Sequence, residues 1–370
     1  MSDPLVTDTP QNQQHLQNLK SPQNQQHPQV QQNPQDRQDP NTLIAEVAVI
    51  GGGAGGLAAS IVLARSLRSV VVIDAGSPRN APSAHAHNVL GQEGINPLEL
   101  VAKGRREAEE YGVRFVDATV VSAEHTQQVT QESEAVGFIL ETSFGVSIEA
   151  KRVVIATGLT DVLPDIPGLS DGWGETVIHC PYCHGYEVRG ERIGVIGTTA
   201  MSYHQAMLFS QLSDRVTFIR HDAPEPDEAQ TRMLESLGIT YVDAAVEAVV
   251  RTDSGTDVTL RSHTSSAAPR GNEAGATAEN ETMTVGALAV GPYFRANSEI
   301  YEQLGGTVAD HPSGMGSSIP AEATGATDVP GVWAVGNSAD ISAMVVASAT
   351  SGVLVGAQIN AEFIMSSVPS

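Results

Sequence analysis

The chain has 370 residues, with 20 Lys and Arg against 43 Asp and Glu, a formal charge of −23. A surface of that sign repels phosphate, which argues against nucleic acid and anionic membranes as partners. The length suffices for two domains, and the only two cysteines, Cys180 and Cys183, are too few and too close for a disulfide scaffold, so they point to chemistry.

Residues 1–41 are rich in Gln, Asn and Pro, and Pro-Gln-Asn-Gln-Gln-His occurs twice, at Pro10–His15 and Pro22–His27. Such a segment has little to bury and is expected to be a disordered extension. It lacks the pattern of a secretory signal, and no stretch of the chain reaches the roughly 18 apolar residues of a membrane span, so a cytoplasmic setting is expected.

From Ile44 to Ile50 the sequence reads as a buried parallel strand, followed by a helix over Gly55–Leu67 and a second strand, Val70–Ile73. Between them stands Gly51-Gly52-Gly53-Ala54-Gly55-Gly56, and Asp74 closes the second strand. In this βαβ setting Gly51 permits the tight turn, Gly53 lets backbone approach a pyrophosphate and Gly56 allows close helix packing. The helix N-terminus stabilises phosphates, and Asp74 suits ribose hydroxyls. A helix over Leu98–Tyr111, short strands at Val113–Phe115 and Val120–Ser122, a hairpin around Gly145 and a strand Arg152–Ala156 complete this part.

After the Pro/Gly-rich stretch Leu163–Gly168 the alternation repeats: strand Arg192–Ile196, helix Ala200–Leu212, strand Arg215–Ile219. Here the turn is Gly197-Thr198-Thr199-Ala200-Met201-Ser202, where Thr199 obstructs a pyrophosphate, and Arg220-His221 is followed by Asp222, Glu225, Asp227 and Glu228 rather than by cations for an NADP phosphate. Strands at Tyr241–Val250 and Asp257–Arg261, an exposed loop at Ser262–Glu281, strands at Ala287–Val290 and Val332–Val335, and a helix over Ala343–Phe363 follow. The expected fold is α/β, two Rossmann-like dinucleotide-binding domains with the second inserted in the first.

His179-Cys180-Pro181-Tyr182-Cys183-His184 concentrates the reactive groups. A C-x-x-C at a helix start lowers one thiol's pKa, and a neighbouring His carries protons, which points to redox chemistry. Zinc is the competing reading, since all four residues are permitted ligands, but no second ligand pair accompanies them; an inert buried pair is the third. His85 and His87 are weaker catalytic candidates, Tyr182 and Tyr186 read chiefly as packing residues, and Trp173 and Trp333 as core or interface.

The order of glycine turn, Ala156-Thr157-Gly158, C-x-x-C in an inserted domain and Val335-Gly336-Asn337 resembles the low-molecular-weight thioredoxin reductase family. The resemblance implies FAD held by a domain in two segments, 42–163 and 285–370, with an NADPH-like domain at 164–284 carrying the dithiol, and a homodimer. FAD would be bound by Gly51, Gly53, Ala54, Gly56, Asp74, Ala156, Thr157, Gly158, Gly336 and Asn337. On that pattern Cys183 faces the flavin and Cys180 exchanges with substrate. Three departures, His184 after the second cysteine, the degraded second turn and Asn337 in place of Asp, are similar to the flavoprotein dithiol oxidases of gliotoxin and holomycin type. That branch implies oxidation of a small-molecule dithiol to a cyclic disulfide, with dioxygen reduced to hydrogen peroxide and His184 as acid and base. Alternatives are an NADPH-dependent thioredoxin or disulfide reductase and a zinc or redox-sensing regulator.

Overall fold

In the computed structural model, which describes residues 41–130, 133–253, 255–263 and 281–368, β1 (Thr42–Ile50) runs between two cores. Val47 and Val49 join Leu57, Leu63 and Trp333 on one side, while Ala48 and Ile50 join Ile73, Val153 and Ile155 on the other. Successive strand side chains point to opposite faces, so a strand covered on both faces must be apolar throughout. Trp333 is therefore a core residue, 4% exposed.

The helix after β1 is α1 (Ala54–Arg65), followed by β2 (Val70–Asp74) and, after a long loop, α2 (Pro97–Glu110), whose first amides are capped by the Asn96 side chain. Then come β3 (Arg114–Asp117), β4 (Val120–Thr130), β5 (Ser133–Thr142) and β6 (Ser147–Ile155). The sheet order is β3-β2-β1-β6-β5-β4, parallel from β3 to β6 and antiparallel from β6 to β4. The two segments expected at Val146–Glu149 and Arg152–Ala156 form the single strand β6.

A second sheet follows β7 (Leu159–Val162). It is built from β8 (Val177–Ile178), β9 (Ile193–Ile196), β10 (Val216–Ile219), β11 (Thr240–Val242) and, arriving later in the chain, Ala287–Val290. The one-turn helix α3 (Pro181–His184), then α4 (Met201–Phe209) and α5 (Glu228–Ser236), alternate with these strands. A three-stranded antiparallel layer, β12 (Ala244–Thr252), β13 (Gly255–Ser262) and β14 (Glu281–Val285), leads into Ala287–Val290, which is β15. That strand pairs with β9 and β8 in the middle of the second sheet. The boundary expected at 284/285 is thus too early: the return to the first domain begins with β16 (Tyr293–Ala296), which pairs antiparallel with β7. The two strands are separated only by Gly291-Pro292, and the fully buried β15 reads equally well as a strand of either domain.

After α6 (Glu299–Gln303) and the two-residue strands β17 (Ala309–Asp310) and β18 (Ser317–Ser318), β19 (Val332–Ala334) pairs with the end of β6. The chain closes with α7 (Val345–Ser366), packed on α1. Close approach there requires glycine, since a Cβ on Gly352 would strike the Gly55 carbonyl oxygen and one on Gly356 would lie 2.9 Å from that of Ala59. The extension expected at 1–41 lies outside the described residues except for Asn41, and most of the loop expected at Ser262–Glu281 also lies outside them. Among the described residues no helix is long and apolar enough to cross a membrane.

Candidate functional site

The three motif glycines do different work. Gly51 has φ +108°, and a Cβ there would strike the Ala156 carbonyl oxygen; one on Gly56 would strike that of Gly51. Gly53 has nothing within 4 Å of where a Cβ would stand, so it borders open space. The Gly52 N–H donates to Asp74 Oδ1 at 3.0 Å, which fixes the carboxylate beside the turn. Ala156-Thr157-Gly158 leaves β6 and is tied down by Thr157 Oγ1 donating to the Asn297 carbonyl at 2.5 Å and by the Gly158 N–H donating to Ser338 Oγ at 3.0 Å.

These segments line one cavity of about 1610 Å³ that extends to the cysteines, larger than the roughly 300–1,000 Å³ of an ordinary small-ligand pocket. Gly51, Gly53, Ala54, Asp74, Ala156, Thr157, Gly158, Gly336, Asn337, Cys180, Cys183 and His184 all border it; Gly56 does not, consistent with a packing role. The first residues of α7 also border it, and no side chain caps that helix start, leaving helix N–H groups available to electron-rich atoms. An open glycine cradle, a placed carboxylate and an uncapped helix start suit an extended dinucleotide such as FAD.

Cys180 precedes α3 and Cys183 lies within it; their sulfurs are 2.8 Å apart as free thiols, Cys183 donating. That bond, assisted by the Cys183 and Tyr182 amides and by Arg79 against the opposing cost of burial, brings the Cys180 thiol down to about 7. Cys183 is pushed up, because it gives its proton to this bond and is itself buried next to a negative sulfur. His184 is shifted down chiefly by burial, with Glu187 opposing. Its Nε2 is 3.3 Å from Ser83 Oγ.

The loop between β2 and α2 clasps this turn. Asn88 Nδ2 donates to the Tyr182 carbonyl at 2.8 Å, and His87 stands between Glu93, 2.7 Å from Nδ1, and Glu187, 3.4 Å from Nε2. The Nε2 contact has ion-pair distance but not hydrogen-bond alignment. His85 Nδ1 is 3.0 Å from the Gly94 carbonyl oxygen. Both histidines border the cavity. Tyr182 and Tyr186 are not packed away; they are 65% and 66% exposed.

Arg79 escaped the sequence reading. Its guanidinium makes a two-point pair with Asp161 at 2.8 and 2.7 Å, donates to Asn337 Oδ1 at 3.2 Å and lies over the Phe294 ring. The Asn337 amide also donates to the Asp340 and Ala343 carbonyls, so its side chain organises protein rather than standing free. Arg79 and Asp161 are 82 positions apart, and no local spacing announces the pair.

His179 also borders the cavity, with Nδ1 3.3 Å from the Val290 carbonyl oxygen and its ring edge-on to Phe294. Among the described residues no group of three or more His, Cys, Asp or Glu is gathered as a metal site. At the second turn Ser202 Oγ accepts from the Thr198 and Thr199 amides at 3.0 and 3.3 Å, occupying donors of the kind that bind phosphate in such turns. Arg220, the cation after β10, is paired with Asp243 at 2.6 Å.

Two nested dinucleotide-type domains with a dithiol facing a glycine-lined cavity define a disulfide oxidoreductase. The chain belongs to the pyridine nucleotide-disulphide oxidoreductase family, whose sequence pattern matches residues 45–352, and within it to the FAD-binding, thioredoxin reductase-like branch. Thioredoxin reductase tcpT of Claviceps purpurea is 34% identical over 181 residues, 47% of this chain and 54% of the relative. The chain spans about half the length of the curated relatives it matches. Among solved structures, HlmI is 36% identical with a TM-score of 0.75, covering 87% of this chain and 93% of that one. An oxidoreductase from Agrobacterium tumefaciens is 30% identical with a TM-score of 0.76, covering 87% and 99%. The resemblance expected from the sequence is borne out.

Proposed function

We propose that this oxidoreductase is a dithiol oxidase, converting a small-molecule dithiol of the natural-product kind and dioxygen to a cyclic disulfide and hydrogen peroxide. The observation that carries this reading is the second turn, where Ser202 fills the phosphate-binding amides and Arg220 is already paired. The likeness to HlmI over most of both chains supports it. A homodimer in a cytoplasmic setting is part of the same reading.

FAD would be held by the Gly51–Gly56 turn, Asp74, the Ala156–Gly158 segment and the Gly336-Asn337 turn. Bound there, FAD would supply a two-electron acceptor for the reduced cysteines and a route for those electrons to dioxygen. The protein's own residues handle the sulfur chemistry. With the pair oxidised, a substrate thiolate attacks Cys180 Sγ, the Cys180–Cys183 bond breaks and Cys183 leaves as thiolate. The second substrate thiolate then attacks the substrate sulfur bonded to Cys180, closing the product disulfide and releasing Cys180. Cys180 suits this exchange because the Cys183 and Tyr182 amides and Arg79 favour its thiolate as it leaves. His184, kept neutral by burial, takes the proton from the incoming substrate thiol.

The test is turnover of a small dithiol in air, with peroxide and product measured, beside an anaerobic NADPH titration. Peroxide formed in step with disulfide, and no flavin bleaching by NADPH, is expected. Rapid stoichiometric bleaching by NADPH would instead establish the reductase.

A further inference from the structure

His184 has two ring nitrogens, and its surroundings fix which of them is free. Ser83 lies in the loop between β2 and α2, 101 positions from His184, and both residues border the cavity. Its backbone is held by a turn in which the Ser83 N–H donates to the Asn80 carbonyl at 3.1 Å. Just beyond, Ala86 and Ile95 form an antiparallel bridge, the Ala86 N–H donating to the Ile95 carbonyl at 2.8 Å. His85 Nδ1 meets the Gly94 carbonyl oxygen at 3.0 Å. The His85 carbonyl, between these ties, is a fixed acceptor.

A serine hydroxyl has one proton to donate and two lone pairs with which to accept. Ser83 Oγ stands 2.7 Å from the His85 carbonyl oxygen, the ordinary length of an O–H···O bond, and a carbonyl can only accept. The proton is committed there. Toward His184 Nε2, at 3.3 Å, the same oxygen can therefore only accept. A neutral imidazole carries hydrogen on one nitrogen, so a hydrogen on Nε2 leaves the lone pair on Nδ1. Among the described residues Nδ1 has no hydrogen-bond partner.

We propose that Ser83 is a positioning residue for the sulfur chemistry: it holds the His184 hydrogen on Nε2, so that Nδ1 is the atom that takes the substrate proton. This deepens the oxidase reading and rests on His184 being its base. The proton passes from a substrate S–H to Nδ1, and the electron pair stays on sulfur as thiolate. The imidazolium keeps its Nε2–H on Ser83 Oγ, in a bond that the charge strengthens. Ser83 thus supports the basicity of a ring that burial, His87 and His85 lower and Glu187 raises, with Glu93 behind His87 and the Cys183 thiol next to it in the chain.

The test begins with nuclear magnetic resonance of the FAD-loaded, reduced protein labelled in its histidine nitrogens, the His184 signals being those lost in His184→Gln. Hydrogen on Nε2 and a bare Nδ1 are expected in the neutral ring. In Ser83→Ala the two tautomers should mix, and Ser83→Thr, which keeps the hydroxyl, should restore the natural pattern. The second arm is exchange of the oxidised protein with dithiothreitol without air, quenched by iodoacetamide and read by mass at Cys180 and Cys183. Ser83→Ala should slow the exchange about tenfold and move its acid limb about one pH unit lower, because an imidazolium without its acceptor is less stable. Ser83→Thr should recover most of the rate. Hydrogen on Nδ1 in the natural chain overturns the proposal without any substitution. So does a Ser83→Ala protein that keeps the natural tautomer or the natural pH profile, since a slower rate alone would make Ser83 a packing residue. Exchange needs no dioxygen, so Ser83 variants that behave as expected beside a natural chain that forms no peroxide in air retain the proposal and refute the oxidase reading instead.

Discussion

Replacing Cys183 by alanine removes the donor that holds the Cys180 thiolate. Cys180 is brought from 9.0 to about 7, the bond from Cys183 being the largest cause. That difference corresponds to about 2–3 kcal/mol in favour of the thiolate. A hydrogen bond to a charged group is worth about 1.5–3 kcal/mol, so losing this one should return most of the shift. At neutral pH the thiolate fraction would fall from about half to a few per cent. The assay is alkylation of the reduced protein by iodoacetamide, followed at Cys180 by peptide mass across the neutral and alkaline range. The natural chain should show a midpoint near 7 and Cys183→Ala one about one to two pH units higher; Cys183→Ser, which keeps a donor, should fall between. Identical midpoints in the natural chain and Cys183→Ala would show that the sulfur contact does not set Cys180 reactivity.

The second and third glycines of the motif should separate by phenotype: Gly53→Val projects into open space and should fold but purify without yellow colour, whereas Gly56→Val meets backbone and should be insoluble. His184→Ala should slow turnover about a hundredfold at neutral pH and lose the acid limb of the rate profile, since the burial-lowered imidazole is a base only above its own pKa; an unchanged profile assigns the proton transfer elsewhere. Arg79→Met leaves Asp161, whose side chain is 8% exposed, without its cation, and should cost about 3 kcal/mol in a denaturant melt. Arg79→Lys should recover part of that loss, and a melt unchanged in Arg79→Met would count the pair as superficial.

The first glycine turn and the cysteines were legible because each is contiguous: strand, turn, helix and acid lie within 33 residues from Thr42 to Asp74, and both thiols lie in one helical turn. The second domain was legible in its βαβ rhythm but not in its end, since the apolar run of β15 does not say which sheet it joins. Helix α5 went unread because its first residues looked like an acidic loop, although Asp227 and Gln230 carry the capping-box pattern. What stayed hidden was assembled only by tertiary contact. Arg79, Asp161, Phe294 and Asn337 come from separate segments and share no sequence period, and the clasp of Asn88 on Tyr182 spans 94 positions.

The acids after β10 bear on how reversible this arrangement is. Asp227 accepts from the Gln230 amide at 2.8 Å and its own amide donates to Gln230 Oε1 at 2.9 Å, so the residue is a helix cap as well as an obstacle to a phosphate. Exchanging it for a cation would cost about 1 kcal/mol of helix stability before any new ligand was gained, and Ser202 would have to vacate the turn at the same time. If the second turn binds no nicotinamide, as the oxidase reading proposes, gaining that ligand would require at least two coordinated changes, one of them destabilising alone. On that reading the architecture works as a ratchet, because Asp227 and Ser202 serve the scaffold at the positions a second dinucleotide would need.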